Sequence, residues 1–228
     1  MDFALMRESI PELLGGLGLT LQLVSLSLAI GFVLALGIAL MRLSPYPPLS
    51  GFARGYVFVF RGTPILVQIF LIYFGLAQFE WIRESILWAI LREPFWAGII
   101  ALSLNTAAYT SEILRGGIES VPYGQVEAAR ACGMGQVLGY RRIILPQAFR
   151  QALPAYGNEM ILMVKASSLV STITLLEITG IARGIISRTF SPVEIFLVAG
   201  ALYLAINFGI TLVVQWLEGR LTPHLRRS

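Results

Sequence analysis

Five apolar runs recur along the sequence, and each is long enough to cross a bilayer, which needs about 20 predominantly apolar residues in a helix. The segments between them are short and carry most of the charged residues, so none can build a core of its own. We therefore predict an all-α polytopic membrane protein with five transmembrane helices, forming a single domain over residues 1–228. The predicted spans are residues 16–41, 55–79, 95–114, 153–176 and 193–217, and the longest connection is the loop at 115–150.

The composition agrees with this pattern, since 56% of the residues are hydrophobic and only 13% are charged, where soluble proteins have about 25% charged residues. The net charge of +4 then reflects the placement of loops in the lipid bilayer. The sequence has no RNA- or DNA-binding motif, so no nucleic-acid partner is expected.

Basic residues predict the orientation of the spans, because cytoplasmic loops are enriched in lysine and arginine. One side of the predicted topology holds Arg42, Arg54, Arg115, Arg130, Arg141, Arg142, Arg150, Arg220, Arg226 and Arg227. The other side holds only Arg7, Arg83, Arg92, Arg183 and Arg188. The first side is therefore predicted to be cytoplasmic, with the N-terminus outside and the C-terminus inside.

The sequence lacks the residues of a catalytic or metal site. A P-loop needs a glycine-rich turn and a lysine for the phosphates, but the single lysine, Lys165, precedes Ala166 in an apolar segment. The lone Cys132 excludes an internal disulfide, and the lone His224 has no other histidine or cysteine at metal-ligand spacing. We expect no catalytic residue, no metal and no cofactor in this chain.

Span two contains the sequence Arg61-Gly62-Thr63-Pro64. Thr63 and Pro64 suit the N-cap and the first position of a helix, so the span is predicted to be interrupted there. An arginine at the centre of a bilayer costs about 2.5–3.5 kcal/mol. Arg61 is therefore expected to reach the membrane surface or to pack on a neighbouring loop.

Span three places Asn105, Tyr109 and Glu112 at positions i, i+4 and i+7, which lie on one face of a helix. Such a face avoids lipid and can line a path through the membrane. For Glu112, near the end of the span, contact with the basic loops is an equal alternative to a role in transport.

Span four is the richest in polar groups. Asn158, Lys165 and Thr172 recur every seven residues, Ser168 lies on the flank of that stripe, and Glu159 points about 100° away. Ionisable residues at this depth are functional candidates, because an unpaired charge in hydrocarbon is costly. The alternative is a structural ion pair or polar contact between spans.

The loop at 115–150 contains an unusual spacing. Glu127-Ala128-Ala129 is followed after three residues by Gly133 and, after nine more, by residues 143–146, which read Ile-Ile-Leu-Pro. Pro122 is expected to begin this helix, and Leu145-Pro146 is expected to end it, since the residue before a proline disfavours the α conformation.

This spacing resembles the EAA loop of the membrane subunit of bacterial ABC importers. Further segments are similar to the polar-amino-acid branch of those permeases, above all to the histidine/arginine/lysine/ornithine and opine (octopine, nopaline) permeases. They are residues 60–64, 105–109, 115–117, 120–125 and 153–159.

The resemblance implies a type I ABC importer permease fold in the bacterial inner membrane. It implies a dimer of ATP-binding subunits that bind ATP and Mg, a second permease subunit, identical or different, and a periplasmic amino-acid-binding protein. The coupling role would fall on Glu127, Ala128, Ala129 and Gly133.

The resemblance also implies a substrate, a polar amino acid and by preference a basic amino acid or an opine. Glu159 would suit a guanidinium or ammonium group, whereas Lys165 would oppose it and could instead meet the substrate carboxylate. The competing hypothesis is an ATP-independent carrier or channel, which has no reason to carry the EAA spacing. A membrane enzyme is a more distant alternative, because no catalytic constellation is present.

Overall fold

The computed structural model describes residues 1–221, and every regular element in that part of the chain is helical. The predicted all-α class is therefore confirmed. In chain order the α-helices are α1 (Phe3–Leu14), α2 (Leu17–Leu43), α3 (Pro47–Gly62), α4 (Ile65–Phe70), α5 (Glu80–Arg83), α6 (Trp88–Leu91), α7 (Pro94–Glu119), α8 (Tyr123–Ala131), α9 (Gln136–Gly139), α10 (Leu145–Ser167), α11 (Ile178–Thr189) and α12 (Pro192–Leu221). Two π-helical turns (Leu71–Gly75 and Tyr140–Ile144) and two 3-10 turns (Leu76–Gln78 and Ser168–Ile173) complete the set.

Two single helices, α2 and α12, are long and apolar enough to cross a membrane. Two bent pairs of helical segments also qualify, Pro47–Gly62 with Ile65–Gln78 at 105° and Gln136–Ile173 with Ile178–Thr189 at 50°. The third predicted span, residues 95–114, corresponds to α7, which has 26 residues but is less apolar. The count of five spans and their limits in the membrane stay a prediction. His224, Arg226 and Arg227 lie outside the described residues.

Helix α7 is the centre of the bundle, and its contacts explain its composition. It packs against α2, α3, α4 and α10, so small and polar side chains that would be unfavourable in lipid are covered by protein. At Gly31 of α2, an added Cβ would lie 2.2 Å from the Thr106 side chain and 3.1 Å from the Ser103 carbonyl oxygen of α7. Close approach of two membrane helices needs such small residues.

The bundle has two distinguishable ends. The "loop end" carries the connection at 115–150 and is where Arg42, in the last turn of α2, contacts Glu112 of α7 at 2.9 Å. At the opposite end, α11 meets the start of α2, where the Ile178 amide donates to the Thr20 hydroxyl at 3.4 Å. The chain passes between these ends along α2, α7, α10 and α12, and the second apolar segment is the bent pair Pro47–Gly62 with Ile65–Gln78.

One predicted helix boundary is wrong. Leu145-Pro146 does not end a helix, because residues 136–167 are continuously helical and Pro146 lies in the first turn of α10. A π-helical turn, Tyr140–Ile144, immediately precedes the proline. Proline removes an amide donor from the helix, and a wider turn of this kind accommodates such an irregularity without breaking the helix.

Candidate functional site

The break in the second apolar segment is the first element of the site. Helix α3 ends at Gly62 and α4 begins at Ile65, which confirms the predicted interruption. The predicted N-cap role of Thr63 is wrong, because its hydroxyl donates back to the Val59 carbonyl oxygen at 2.8 Å and so closes the end of α3. Irregular backbone at membrane depth is tolerated where protein groups satisfy it.

Two side-chain amides provide the hydrogen bonds that the backbone at the break needs. Gln68 Nε2 donates to the Phe60 carbonyl oxygen at 2.9 Å and to the Thr63 carbonyl oxygen at 3.1 Å. Asn105 Nδ2 of α7 donates to Gln68 Oε1 at 2.9 Å. Both amide side chains are buried, so Asn105 holds the break in place as well as facing the space beside it.

A cavity of about 440 Å³ opens beside this break, between α3, α4, α7 and α10. We call it the "break cavity". It brings together three of the predicted path residues, Asn105, Tyr109 and Glu159, from two different spans. It is lined by Arg61, Gly62, Thr63, Pro64, Ile65, Asn105, Tyr109, Glu159, Leu162, Met163 and Ala166.

Among the described residues that line the break cavity, Glu159 is the only one with a carboxylate, and it is only 5% exposed. The Thr106 hydroxyl of α7 donates to Glu159 Oε1 at 2.8 Å. Within the described part of the chain this is the hydrogen bond that the carboxylate receives, and no ion pair joins it to Lys165 or to an arginine. A carboxylate held by one neutral donor beside a cavity can still accept a cationic ligand group.

Arg61 lines the same cavity as Glu159. Its guanidinium lies over the Tyr109 ring, 5.1 Å from the centroid, a cation–π contact. The sequence predicted that Arg61 would reach the membrane surface or pack on a loop. Its side chain is exposed and packs on a ring of α7 that also lines the cavity, and whether it reaches the membrane surface stays a prediction.

The remaining path candidates lie elsewhere. Asn158 and Lys165 are exposed on the outer face of α10, and neither lines the break cavity. The Ser168 hydroxyl donates to the Lys165 carbonyl oxygen at 2.6 Å. These three residues could face a path only on the outside of this chain.

A second cavity, of about 500 Å³, lies on the loop-end side of α3. We call it the "arginine cavity". Arg42, Arg54 and Arg61 line it, with Glu112 as its only acid. Glu112 contacts Arg42 Nε at 2.9 Å and Arg115 Nη2 at 2.8 Å, which supports the contact with basic residues over a direct role in transport.

The segment with the EAA spacing lies at the loop end. Helix α8 begins just after Pro122, as predicted, and contains Glu127, Ala128 and Ala129. Glu127 and Ala128 are exposed, whereas Ala129 is buried against the rest of the segment. Gly133 follows the helix with a φ of +78°, a left-handed conformation that glycine adopts most easily.

Sequence reasoning missed one buried cluster. Glu177, fully buried before α11, accepts a hydrogen bond from the Gly180 amide at 2.8 Å and another from the Tyr203 hydroxyl of α12. The Tyr203 hydroxyl also lies 2.9 Å from the Thr179 hydroxyl. The available signal was an acidic residue just before a helical segment, since such a residue can cap the first amides.

Comparison with known proteins adds three findings. Residues 27–223 match the family described as binding-protein-dependent transport system inner membrane component. The nopaline transport system permease protein NocM of Agrobacterium fabrum (strain C58 / ATCC 33970) is 56% identical over 227 residues, covering 99% of this chain and 94% of the relative. The arginine ABC transporter permease protein ArtM of Escherichia coli (strain K12) is 41% identical over 224 residues, covering 98% and 100%.

A solved structure is also similar. The chain of a structure described as an amino acid ABC transporter with histidines superposes with a TM-score of 0.86 at 39% identity, covering 96% of this chain and 99% of that one. The similarity confirms the predicted fold, that of a type I ABC importer permease.

Proposed function

This chain belongs to the family of binding-protein-dependent transport system inner membrane components and is the permease subunit of an ABC importer. On that premise, we propose that it carries basic amino acids or opines. The relatives named for nopaline and for arginine support this substrate class. Nopaline and arginine share a guanidinium group, so a common site would be expected to recognise that group.

The observation that carries the proposal is the carboxylate of Glu159 beside the break cavity. Its burial lowers the local dielectric, so its attraction for a cationic ligand is stronger than it would be in water. The break in the helix leaves room for the ligand beside it, and Asn105 donates hydrogen bonds to residues on both sides of that break, Phe60 and Gln68. Glu159 would then hold the guanidinium or ammonium end of the substrate.

The driving ATPase is proposed to be a separate polypeptide. The sequence lacks a P-loop, and its one lysine, Lys165, lies on the outer face of α10. ATP and Mg would be bound by a dimer of ATP-binding subunits. A second permease subunit, identical or different, and a periplasmic binding protein that delivers the substrate would complete the importer.

The coupling element is proposed to be α8 and the turn at Gly133. Glu127, Ala128 and Gly133 are exposed at the loop end, where a partner surface could reach them. The same segment exposes large apolar side chains, Tyr123 at 66% and Val137 at 83%. Apolar groups this exposed on a loop suit burial against another protein.

The proposed orientation places the loop end in the cytoplasm. The described arginines of the basic side, from Arg42 to Arg220, lie in segments that meet at that end, whereas Arg188 lies at the opposite end in contact with Glu12. An excess of basic residues marks cytoplasmic loops. The EAA segment would then face the compartment that holds ATP.

The test is reconstitution in liposomes with and without the partner ATPase, with the binding protein present, followed by uptake of labelled arginine, an opine and a neutral amino acid. The proposal expects ATP-dependent uptake of the two cationic compounds and none from this chain alone. Uptake without the ATPase would favour the ATP-independent carrier or channel.

A further inference from the structure

The break cavity and the arginine cavity are neighbours. Both are lined by Arg61, Gly62 and Tyr109, at the point where α3 ends and crosses α7. We call this shared part of the lining the "waist", and the stack of Arg61 on Tyr109 belongs to it. A ligand bound at Glu159 could therefore extend past Arg61 into the second cavity.

The two cavities differ in charge. Glu159 is the only acid of the break cavity, Arg61 stands at the waist, and the arginine cavity adds Arg42 and Arg54. Glu112 is the only acid among the residues that line the second cavity. The break cavity beside Glu159 therefore favours a cation, and the arginine cavity favours anions.

The three arginines are not equally available to a ligand. Arg42 uses its Nε to contact Glu112 at 2.9 Å, and Arg54 donates to the carbonyl oxygen and hydroxyl of Ser50. Arg61 makes no hydrogen bond within residues 1–221; its guanidinium packs on the Tyr109 ring and is close enough to attract the Glu159 carboxylate. Its fork of N–H donors is therefore free to bind a carboxylate in a bidentate manner.

Arg54 and Arg61 are seven residues apart in α3, so they lie on one face of the helix, roughly 10 Å apart along its axis. A ligand that offers a single carboxylate can satisfy only Arg61. A ligand whose second carboxylate reaches beyond the waist also approaches Arg54. By contrast, a ligand without a carboxylate brings only positive charge towards these guanidinium groups.

We propose that the site takes an arginine derivative carrying more than one carboxylate, with its guanidinium at Glu159 and its carboxylates at Arg61 and Arg54. The inference deepens the proposed function and rests on it. It makes Arg61 a specificity-determining residue and ranks opines above plain basic amino acids. Agmatine, arginine, octopine and nopaline form a matched series, with no carboxylate, one, two and three.

The experiment measures equilibrium binding of these four compounds to the complete permease–ATPase complex in nanodiscs, without the binding protein, whose own specificity would mask the result. Wild-type affinity should rise along the series. Arg61→Gln should remove the preference for arginine over agmatine, expected to be about tenfold or more for a charge-assisted contact. Arg61→Lys should keep part of that preference, because it keeps the charge but loses the bidentate fork.

Arg54→Gln should lower the affinity for octopine and nopaline while leaving the affinity for arginine unchanged. The matched control is Arg92→Gln, an exposed arginine at the opposite end of the bundle, which contacts Glu93 at 3.6 Å and should alter none of the four affinities. An equal loss of all four ligands in Arg61→Gln, or no change, would overturn the inference and leave the proposed function standing. If the wild-type complex binds none of the four, the proposed function falls and the inference falls with it.

Discussion

The break cavity and the α8–Gly133 segment differ in where their residues find interaction partners. In the break cavity, buried groups find their partners within the chain: Asn105 bonds to Gln68, and Thr106 bonds to Glu159. In the α8–Gly133 segment, Glu127, Ala128 and Gly133 are exposed. A region whose polar groups are hydrogen-bonded within the chain can act as a site by itself. An exposed segment of small residues, by contrast, is expected to act by contact with the surface of another protein.

The largest effect is expected at Gly133, which tests the exposed α8–Gly133 segment. Its φ of +78° disfavours every side chain except those, such as asparagine, that tolerate the left-handed conformation. Gly133→Arg should abolish ATP-driven uptake while the protein still inserts in the membrane, because it adds both backbone strain and bulk at the proposed docking surface. The measurement is uptake together with co-purification of the ATPase.

Two controls separate backbone strain from bulk. Gly133→Asn should retain more uptake than Gly133→Ala if the left-handed backbone is what glycine provides. Gly184, in α11 at the opposite end of the bundle, has no atom within 4 Å of an added Cβ, so Gly184→Ala should be nearly silent. Full uptake by a well-expressed Gly133→Arg protein would refute the coupling role.

The next largest effect is expected at Glu159, in the break cavity. Glu159→Gln keeps the shape of the side chain and removes its charge, and a hydrogen bond to a charged group is worth about 1.5–3 kcal/mol, or roughly ten- to a hundredfold in affinity. Uptake of arginine or an opine should fall by that factor, with much less change for a neutral amino acid. Lys165→Gln, on the outer face of α10, is the matched control and should not discriminate between them.

The alternative for Glu159 is a purely structural role. In that case the whole substrate panel would lose uptake together, along with the amount of protein in the membrane. Measuring protein levels beside uptake distinguishes the two explanations.

A smaller effect is expected at Gln68, which tests whether the break needs its internal partners. Gln68→Leu removes the donor to the Phe60 and Thr63 carbonyl oxygens and the acceptor of Asn105. Leaving buried polar groups without partners costs about 1–3 kcal/mol, so the Tm of the purified complex should fall by several degrees. Gln147→Leu is a control at the loop end, where the amide bonds to Gln125 and Ile143 at a more exposed position. An unchanged Tm for Gln68→Leu would show that these bonds do not hold the break.

The sequence predicted the features that depend on local chemistry. The break at Thr63-Pro64 and the start of α8 after Pro122 follow from what proline permits in a helix. The same reasoning was wrong at Leu145-Pro146, because a π-helical turn carries the helix through the proline. Which local solution the chain adopts depends on packing that residue types do not reveal.

Contacts between distant segments were beyond sequence reasoning. Helix α1 was not predicted, because the acidic residues of this segment made it look like a solvent-exposed terminus. One side of the helix is nevertheless apolar, and Leu13 on that side is fully buried. The stack of Arg61 on Tyr109 joins residues 48 positions apart, and no pattern within span two or span three indicates it. Periodicity placed Glu159 away from the stripe of Asn158 and Lys165, but could not say which of the two faces meets α7.

The smallest effect is expected at Thr106, whose hydroxyl donates to Glu159 Oε1 at 2.8 Å within the buried core of the bundle. Thr106→Val is nearly the same shape and removes that donor, together with a longer contact of 3.5 Å to the Thr110 hydroxyl. A single hydrogen bond contributes about 0.5–1.5 kcal/mol. Affinity for arginine should fall about two- to tenfold, less than in Glu159→Gln. In the Glu159→Gln background the same change should have a smaller effect, because residues that act through one contact are not additive. Additive losses in this double-mutant cycle would mean that Thr106 acts on the packing of α7 against α10 and does not position the carboxylate.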